Sequence, residues 1–248
     1  MTAPRQFRIR LLFLMLVVLT LAANAFAGAD NFAQGKAAYE QGDFSLAEEQ
    51  FAACLDRELS AGAFQNLGNA YWQLGETAPA IICWERALRL NPYARAAENN
   101  LKFVRETAQL ESPDLTWCEI AAGWLPAQWW AWLAMVSFWF AVALLLLPAV
   151  LRWRRAVTPQ ALVALGLGVF LLTLPANYGV WTRARLGVVL EAETPLRFTP
   201  TAEAEPITKM SAGEPARVVR QRGKYLLIQT RRAEGWVERS RFGLIVQN

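Results

Sequence analysis

Two long uncharged runs constrain this chain more than any other feature. Residues 129–151 and residues 161–181 contain no charged side chain, and the arginine-rich segment 152–160 separates them. A helix needs about 20 apolar residues, each rising about 1.5 Å, to cross a bilayer. Both runs are long enough, so the sequence predicts a transmembrane helical hairpin with 152–160 as its loop. The chain before the hairpin and the chain after it must then lie on the same side.

The distribution of tryptophan and arginine agrees with this hairpin. Eight of the 11 tryptophans lie between residues 117 and 181, and tryptophan favours the membrane–water interface. Arginines next to a membrane span tend to remain in the cytoplasm, which places the loop there and both ends of the hairpin outside. The sequence therefore predicts a protein of the inner (cytoplasmic) membrane whose other parts face the periplasm.

Residues 1–27 have the features of a secretory signal peptide. Three arginines precede an apolar core over residues 11–23, and residues 25–27 (Ala-Phe-Ala) fit the cleavage pattern. An uncleaved anchor is the alternative, because no charge follows the core before Asp30. Either alternative exports the residues that follow.

An internal repeat occupies residues 29–91. Gly42 corresponds to Gly75 and Phe51 corresponds to Trp84, in each case with an offset of 33 residues. Small residues let two helices approach, aromatic side chains fill the gaps, and glycine takes the left-handed turn conformation. These residues resemble the tetratricopeptide repeat, an all-α fold.

The resemblance implies a domain over residues 28–111 that binds protein segments. After two repeats, a helix from Ala94 to about Leu110 has an apolar stripe at Leu101 and Val104, and it would cap the open end of the stack. By the geometry of the family, the inner groove would be lined by Lys36, Tyr39, Glu40, Gln65, Asn69, Trp72, Gln73, Asn99 and Phe103. The alternative is that these residues form an ordinary solvated polar face and bind no partner.

Residues 112–128 are predicted to form an interfacial linker. The part from Trp117 to Gln128 is aromatic and holds only Glu119 as a charge, which is typical of a segment that lies against the bilayer. We therefore expect this linker to precede the first span at the level of the lipid headgroups.

Three residues of the second run bear on the packing of the hairpin. Gly166 and Gly168 would let the two helices approach closely. A polar residue inside a membrane is a candidate functional site, but Asn177 lies near the interface. An anchor or a helix–helix hydrogen bond is therefore favoured over a transport role for Asn177.

From residue 186 onward, apolar residues recur with a period of two. Short segments of this kind, separated by glycine-containing turns, predict a small all-β barrel. Its order of strands, with Gly235-Trp236-Val237, resembles the bacterial SH3-like domain over residues 186–248. Such domains commonly bind cell-wall peptides or protein segments, and a role as a rigid spacer is equally open. Trp236 is the candidate aromatic residue for binding. The alternative for Trp236 is that it is partly buried in the core. The strands are expected at residues 187–190, 195–198, 216–219, 225–229, 235–237 and 242–246.

Composition argues against catalysis. The chain has no histidine, which excludes histidine-based acid–base catalysis and histidine-ligated zinc. Cys54, Cys83 and Cys118 are spaced too widely to indicate a metal site or a disulfide framework, and we expect them to be buried in helices. We expect no cofactor, no metal and no enzymatic activity. The net charge of +4 does not indicate nucleic acid binding, because arginines that flank the membrane segments account for it.

The charges are divided unequally along the chain. Residues 28–120 carry 7 basic and 14 acidic side chains, whereas residues 182–248 carry 12 basic and 7 acidic ones. Both segments would face the same compartment. We therefore expect the acidic helical domain and the basic barrel to dock on each other, by a contact that salt weakens. Docking within one chain and docking between two chains would look the same in the sequence.

The whole arrangement of signal peptide, tetratricopeptide repeats, hairpin and SH3-like domain resembles the BatE-like proteins of the Bat (aerotolerance) operons. The resemblance implies a multidomain membrane protein in a complex with von Willebrand A-type proteins and a MoxR-like ATPase, linked to stress or oxygen tolerance. It favours a non-catalytic scaffold or adaptor. The alternative is a peptidoglycan-binding module anchored in the inner membrane.

Overall fold

The computed structural model describes residues 30–150 and 157–246. The predicted signal peptide and the arginines of the hairpin loop lie outside these described residues. The chain divides into two compact units between Glu76 and Thr77, which is a point between the two helices of the second predicted repeat.

The first unit confirms the packing expected of the first repeat. The ring of Phe51 fills the space beside Gly35, where a Cβ atom would come within 2.8 Å of the ring. Gly42 and Gly75 take the left-handed conformation, with φ of 81° and 80°, as the turns of the repeat require. The helices of this unit are α1 (residues 30–40), α2 (Phe44–Leu55) and α3 (Ala61–Gln73).

Helices make up the first half of the second unit. The predicted capping helix is confirmed, and it buries Ala97, Leu101 and Val104 on one face. Cys83 and Cys118 are buried in helices of this unit, as Cys54 is in α2. The helices are α4 (Thr77–Leu90), α5 (Arg95–Thr107), α6 (Trp117–Ala122), α7 (Ala127–Val150) and α8 (Val157–Arg183).

Helices α7 and α8 form the predicted apolar pair and pack against each other. Their stretches Ala127–Leu146 and Gln160–Arg183 are long and apolar enough to cross a membrane. Only 11% and 17% of these stretches are buried, whereas the core helix of a soluble domain is mostly buried. This exposure favours lipid as the natural surroundings of the pair.

The packing of α7 on α8 confirms two of the three expectations for the hairpin. A Cβ atom at Gly166 would lie 3.1 Å from the Cβ of Ala141, so glycine allows the close approach there. Gly168 has no described atom within 4 Å of its Cβ position, so it does not contribute to the close contact between α7 and α8. The side-chain amide of Asn177 donates to the carbonyl of Trp130 at 3.2 Å, which is the helix–helix hydrogen bond that was favoured.

The rest of the second unit is an antiparallel sheet with the order β3-β2-β6-β5-β4-β1-β7. Six of its strands were predicted. The strand Pro206–Met210 was not, because only Met210 of its five residues is buried and no alternation marks it. The strands are β1 (Leu186–Val189), β2 (Thr194–Arg197), β3 (Pro206–Met210), β4 (Pro215–Arg222), β5 (Tyr225–Gln229), β6 (Glu234–Glu238) and β7 (Phe242–Leu244).

The predicted barrel is corrected to an open sheet. Among the described strands, β3 and β7 end the ladder and do not pair with each other. The reason is local, since β7 has only 3 residues and β3 begins with Pro206, whose nitrogen has no hydrogen to donate. Short strands and proline are common ways of terminating a sheet edge.

The sheet is nevertheless strongly curled. Seven strands in a flat sheet would hold β3 and β7 about 29 Å apart, at roughly 4.8 Å per strand. Met210 of β3 and Phe242 of β7 instead belong to the same core cluster. The cluster takes a buried residue from every strand: Val189, Leu196, Met210, Ala216, Leu226, Ile228, Val237 and Phe242.

Candidate partner-binding residues and the helix–sheet junction

The predicted groove residues of the first unit lie on α1 and α3. Lys36 and Glu40 are exposed and Tyr39 is half-buried on α1. The side-chain amide of Gln73 on α3 lies 3.5 Å from the Tyr39 hydroxyl, so the structure brings these two predicted residues together. The others are placed on α3 with the spacing of one helix face: half-buried Gln65, Asn69 and Trp72.

The predicted groove residues of the second unit lie on α5. Asn99 and Phe103 are four residues apart and both are exposed, which puts them on one face of the helix. The ring of Phe103 is 56% exposed, a large value for an aromatic side chain on a helix that buries its opposite face. The role of all nine residues in partner binding stays a prediction.

Trp236 lies on the outer face of the sheet. Its neighbours in β6, Gly235 and Val237, are buried, and side chains alternate between the two faces of a strand. Trp236 is half-buried, is paired across the sheet with Leu227 and Arg197, and does not belong to the core cluster. The side chains of Trp236 and Arg197 thus lie on the same face of the sheet, where the Arg197 guanidinium donates to the Ala204 carbonyl.

A buried ion pair that the sequence did not predict joins the helices to the sheet. Glu119 on α6 is fully buried, and the guanidinium of Arg217 on β4 donates to both of its oxygens, at 2.6 and 2.9 Å. The same guanidinium donates to the carbonyls of Thr182 at 3.3 Å and Asp114 at 3.2 Å. One arginine side chain therefore ties the sheet to the end of α8, to α6 and to the linker before it.

The N-terminus of α6 holds Glu119 in place for this pair. Thr116 and Glu119 form a capping box, in which the Thr116 N–H donates to the Glu119 carboxylate at 2.8 Å. Burial alone would raise the pKa of Glu119. Hydrogen bonds from Arg217, Thr116 and Thr182 and the positive charge of Arg217 outweigh burial and lower that pKa from 4.5 to about 2. Glu119 is therefore ionised at neutral pH.

Helix α6 itself packs against the apolar pair. Gly179 of α8 lies against the backbone carbonyl of Cys118, with no space for a Cβ atom. The indole N–H of Trp130 on α7 donates to the Ala122 carbonyl at 3.0 Å. The predicted linker is thus partly a helix that is fixed to the hairpin. Its contact with the bilayer stays a prediction for the exposed side chains Trp117, Ile120 and Trp124.

Helix α4 also contacts the sheet, but not through the opposite charges from which docking was expected. Arg86 donates to the carbonyls of Ile245 at 2.7 Å and Leu244 at 3.1 Å. The side chain of Ile82 lies where a Cβ atom at Gly243 would stand, and Ile81 lies beside Gly213 in the same way. The contact of α4 is thus mainly apolar.

The expected pairing of acidic with basic residues occurs at the linker and at the residue before it. Glu111 forms an ion pair with Arg232 at 2.6 Å, and Asp114 lies 4.0 Å from Arg231, besides the pair between Glu119 and Arg217. Among the described residues, opposite charges on the two segments therefore meet at three places.

Comparison with known families supports the repeat. Residues 61–93 match the tetratricopeptide repeat family, a range that contains α3, the turn at Gly75 and α4. No curated protein matches the chain significantly. The match indicates a role in protein–protein interaction, and it covers the second of the two predicted repeats.

Proposed function

We propose that this protein is a non-catalytic, membrane-anchored scaffold whose repeat region binds a partner protein. The observation that carries the proposal is a tetratricopeptide repeat in the same chain as two exposed apolar helices. A repeat of this kind binds peptides or helices on its groove face, and an apolar pair of sufficient length anchors it.

The ion pair between Glu119 and Arg217 supports the topology that we propose. Glu119 precedes α7 and Arg217 follows α8, so their contact brings together the chain on either side of the apolar pair. Two helices that cross the membrane once each return the chain to the side from which it came. We propose that this side is the periplasm, on the strength of the signal peptide and of the arginines at 152–155.

The order of domains suggests a more specific role. It resembles the BatE-like proteins, and we propose on that basis that the partners are von Willebrand A-type membrane proteins and a MoxR-like ATPase complex. Stress or oxygen tolerance would be the process, and the curled sheet would serve as the SH3-like domain.

Site-specific photocrosslinking in membranes tests the scaffold. A photoreactive residue at Gln73, exposed on the predicted groove face, should give a covalent adduct with another protein. Glu49, exposed on α2, is not among the predicted groove residues and serves as the matched control that should give none. Equal adducts at both positions, or no adduct at Gln73, would contradict partner binding by this face.

Binding of peptidoglycan is the second candidate, and Trp236 is the observation that favours it. A half-exposed indole next to Arg197 offers stacking and a charge for the carboxylates of a cell-wall peptide. The full chain in detergent should then sediment with purified sacculi, and Trp236→Ala should reduce this at least fivefold. Phe198→Ala, which removes an exposed ring outside β6, is the control. If neither Trp236→Ala nor Phe198→Ala changes the sedimentation with sacculi, binding of peptidoglycan through Trp236 is contradicted.

A further inference from the structure

A cleft in the second unit combines apolar walls with several arginines. Its volume is about 730 Å³, and it lies between α4, α5, the linker and the end of α8. Leu88 and Leu101 contribute to its apolar wall, and Arg89, Arg105 and Arg183 contribute guanidinium groups. A cleft of this size accommodates a small organic anion.

Two of these arginines, Arg89 and Arg183, form no ion pair with another residue that the structure describes. Arg105 pairs with Glu85, whereas in the part of the chain that the structure describes, neither Arg89 nor Arg183 donates a side-chain hydrogen bond or forms an ion pair. Both are half-buried. Burial lowers the pKa of Arg89, and the nearby positive charge of Arg183 lowers it further.

No described carboxylate that lines the cleft forms an ion pair with Arg89 or Arg183. Three of them line it, namely Glu85, Glu98 and Glu106. Glu85 pairs with Arg105, and Glu106 lies 3.9 Å from Lys102. The charges of Glu85 and Glu119 act on Arg183, but Glu85 is held by Arg105, and Glu119 is held by both of its oxygens to Arg217. Two half-buried cations that line one cleft and form no ion pair with another described residue favour an anion between them.

The cleft lies at the end of the second apolar stretch. Arg183 is the last residue of the apolar stretch Gln160–Arg183, and its guanidinium lies 3.2 Å from the Cβ position of Gly123 at the end of α6. Exposed Trp124 follows directly, and exposed Trp181 lies two residues before Arg183. Tryptophan and arginine at the end of a span lie at the level of lipid headgroups.

We infer that this cleft binds a phosphate group, which Arg89 and Arg183 hold together. Arginine binds phosphate by short, paired, charge-assisted hydrogen bonds, and these would satisfy both guanidinium groups at once. The headgroup of an anionic phospholipid and free phosphate share this chemistry. A lipid in the cleft would hold α4 and α5 at the membrane surface, which goes beyond binding of a protein partner.

Ligand binding to the full chain in detergent tests the site. The probes are short-chain phosphatidylglycerol, short-chain phosphatidylcholine and inorganic phosphate, with affinity measured by native mass spectrometry and by the rise in melting temperature. Phosphatidylglycerol should bind more tightly than phosphatidylcholine. Arg89→Gln should weaken the binding of phosphatidylglycerol about tenfold or more, the effect of losing a charge-assisted hydrogen bond. Arg95→Gln, which neutralises an exposed arginine of α5, should weaken it less than twofold.

The melting temperature without ligand separates binding from folding. Arg89 makes no ion pair or side-chain hydrogen bond with another described residue, so Arg89→Gln should melt at the same temperature as the natural chain or higher. Phosphate that protects the natural chain but not Arg89→Gln would identify free phosphate as sufficient, and protection by phosphatidylglycerol alone would identify the lipid headgroup. Binding of neither phosphatidylglycerol nor phosphate, equal losses of binding in the two variants, or a lower melting temperature of Arg89→Gln without ligand would each overturn the inference.

Discussion

At the scale of single residues, Glu119 is a fully buried carboxylate that requires hydrogen-bond and charge partners. A carboxylate that is removed from water is unfavourable unless it is paired and hydrogen-bonded, and Arg217 and Thr116 together meet this need. The partners Glu119 and Arg217 are 98 residues apart. The only sign in the sequence was a lone charge in an aromatic segment, which does not say which of many arginines pairs with it.

Removal of Arg217 is expected to destabilise the second unit strongly. Arg217→Ala leaves the Glu119 carboxylate buried and unpaired, and we expect a loss of about 3 kcal/mol in the free energy of unfolding. Arg220→Ala, three residues further along β4 and exposed, is the control and should cost less than about 0.5 kcal/mol. Unfolding by denaturant in a mild detergent measures both. Similar losses for the two variants would mean that the pair is not stabilising.

The low pKa of Glu119 gives a pH dependence with a defined sign. Because this pKa is about 2 in the folded chain against 4.5 for an unperturbed group, the folded state is favoured above pH 4.5 and loses this advantage as the pH falls towards 2. The full effect is roughly 3 kcal/mol. Glu119→Gln should therefore be less stable than the natural chain at pH 7, and the gap in melting temperature should narrow between pH 5 and pH 2.5. A gap that does not change with pH would contradict this ionisation.

At the scale of elements, the hairpin and the sheet differ in how well the sequence predicted them. The absence of charge from 129–151 and 161–181 is a property of the residues themselves, so α7 and α8 were found within a few residues of their ends. Strand β3 was missed and the ladder was expected to close. Both depend on pairing at an edge, and exposed residues such as those of Pro206–Met210 leave no periodic pattern.

Contact between α6 and α8 depends on a glycine that the sequence did not single out. A Cβ atom at Gly179 would overlap the backbone of Cys118, so Gly179→Ala should cost about 2 kcal/mol by overpacking. Gly168→Ala is the matched control in the same helix. No described atom is near its Cβ position, and alanine there should be neutral or stabilising by up to about 1 kcal/mol. Thermal unfolding in detergent compares them; a neutral Gly179→Ala would mean that the two helices are not in close contact.

At the scale of the whole molecule, the division of charge predicted a contact but not its chemistry. Acidic residues at the linker do pair with arginines of the sheet and its turns, at Glu111 just before the linker and at Asp114 and Glu119 within it. Helix α4, in contrast, contacts the sheet through Ile81, Ile82 and the hydrogen bonds of Arg86. Composition records the sum of charges, whereas these contacts depend on which side chains the fold places together.

The central claim is that a membrane hairpin holds the repeat region and the sheet on one side of the membrane. Single cysteines at Glu49, Glu203 and Arg154, treated with an impermeant maleimide before and after permeabilisation of spheroplasts, test it most directly, because the natural cysteines are buried and give a low background. We expect labelling at 49 and 203 without permeabilisation, and at 154 only after it. Labelling of 49 and 203 from opposite sides, or of 154 together with both, would contradict the account.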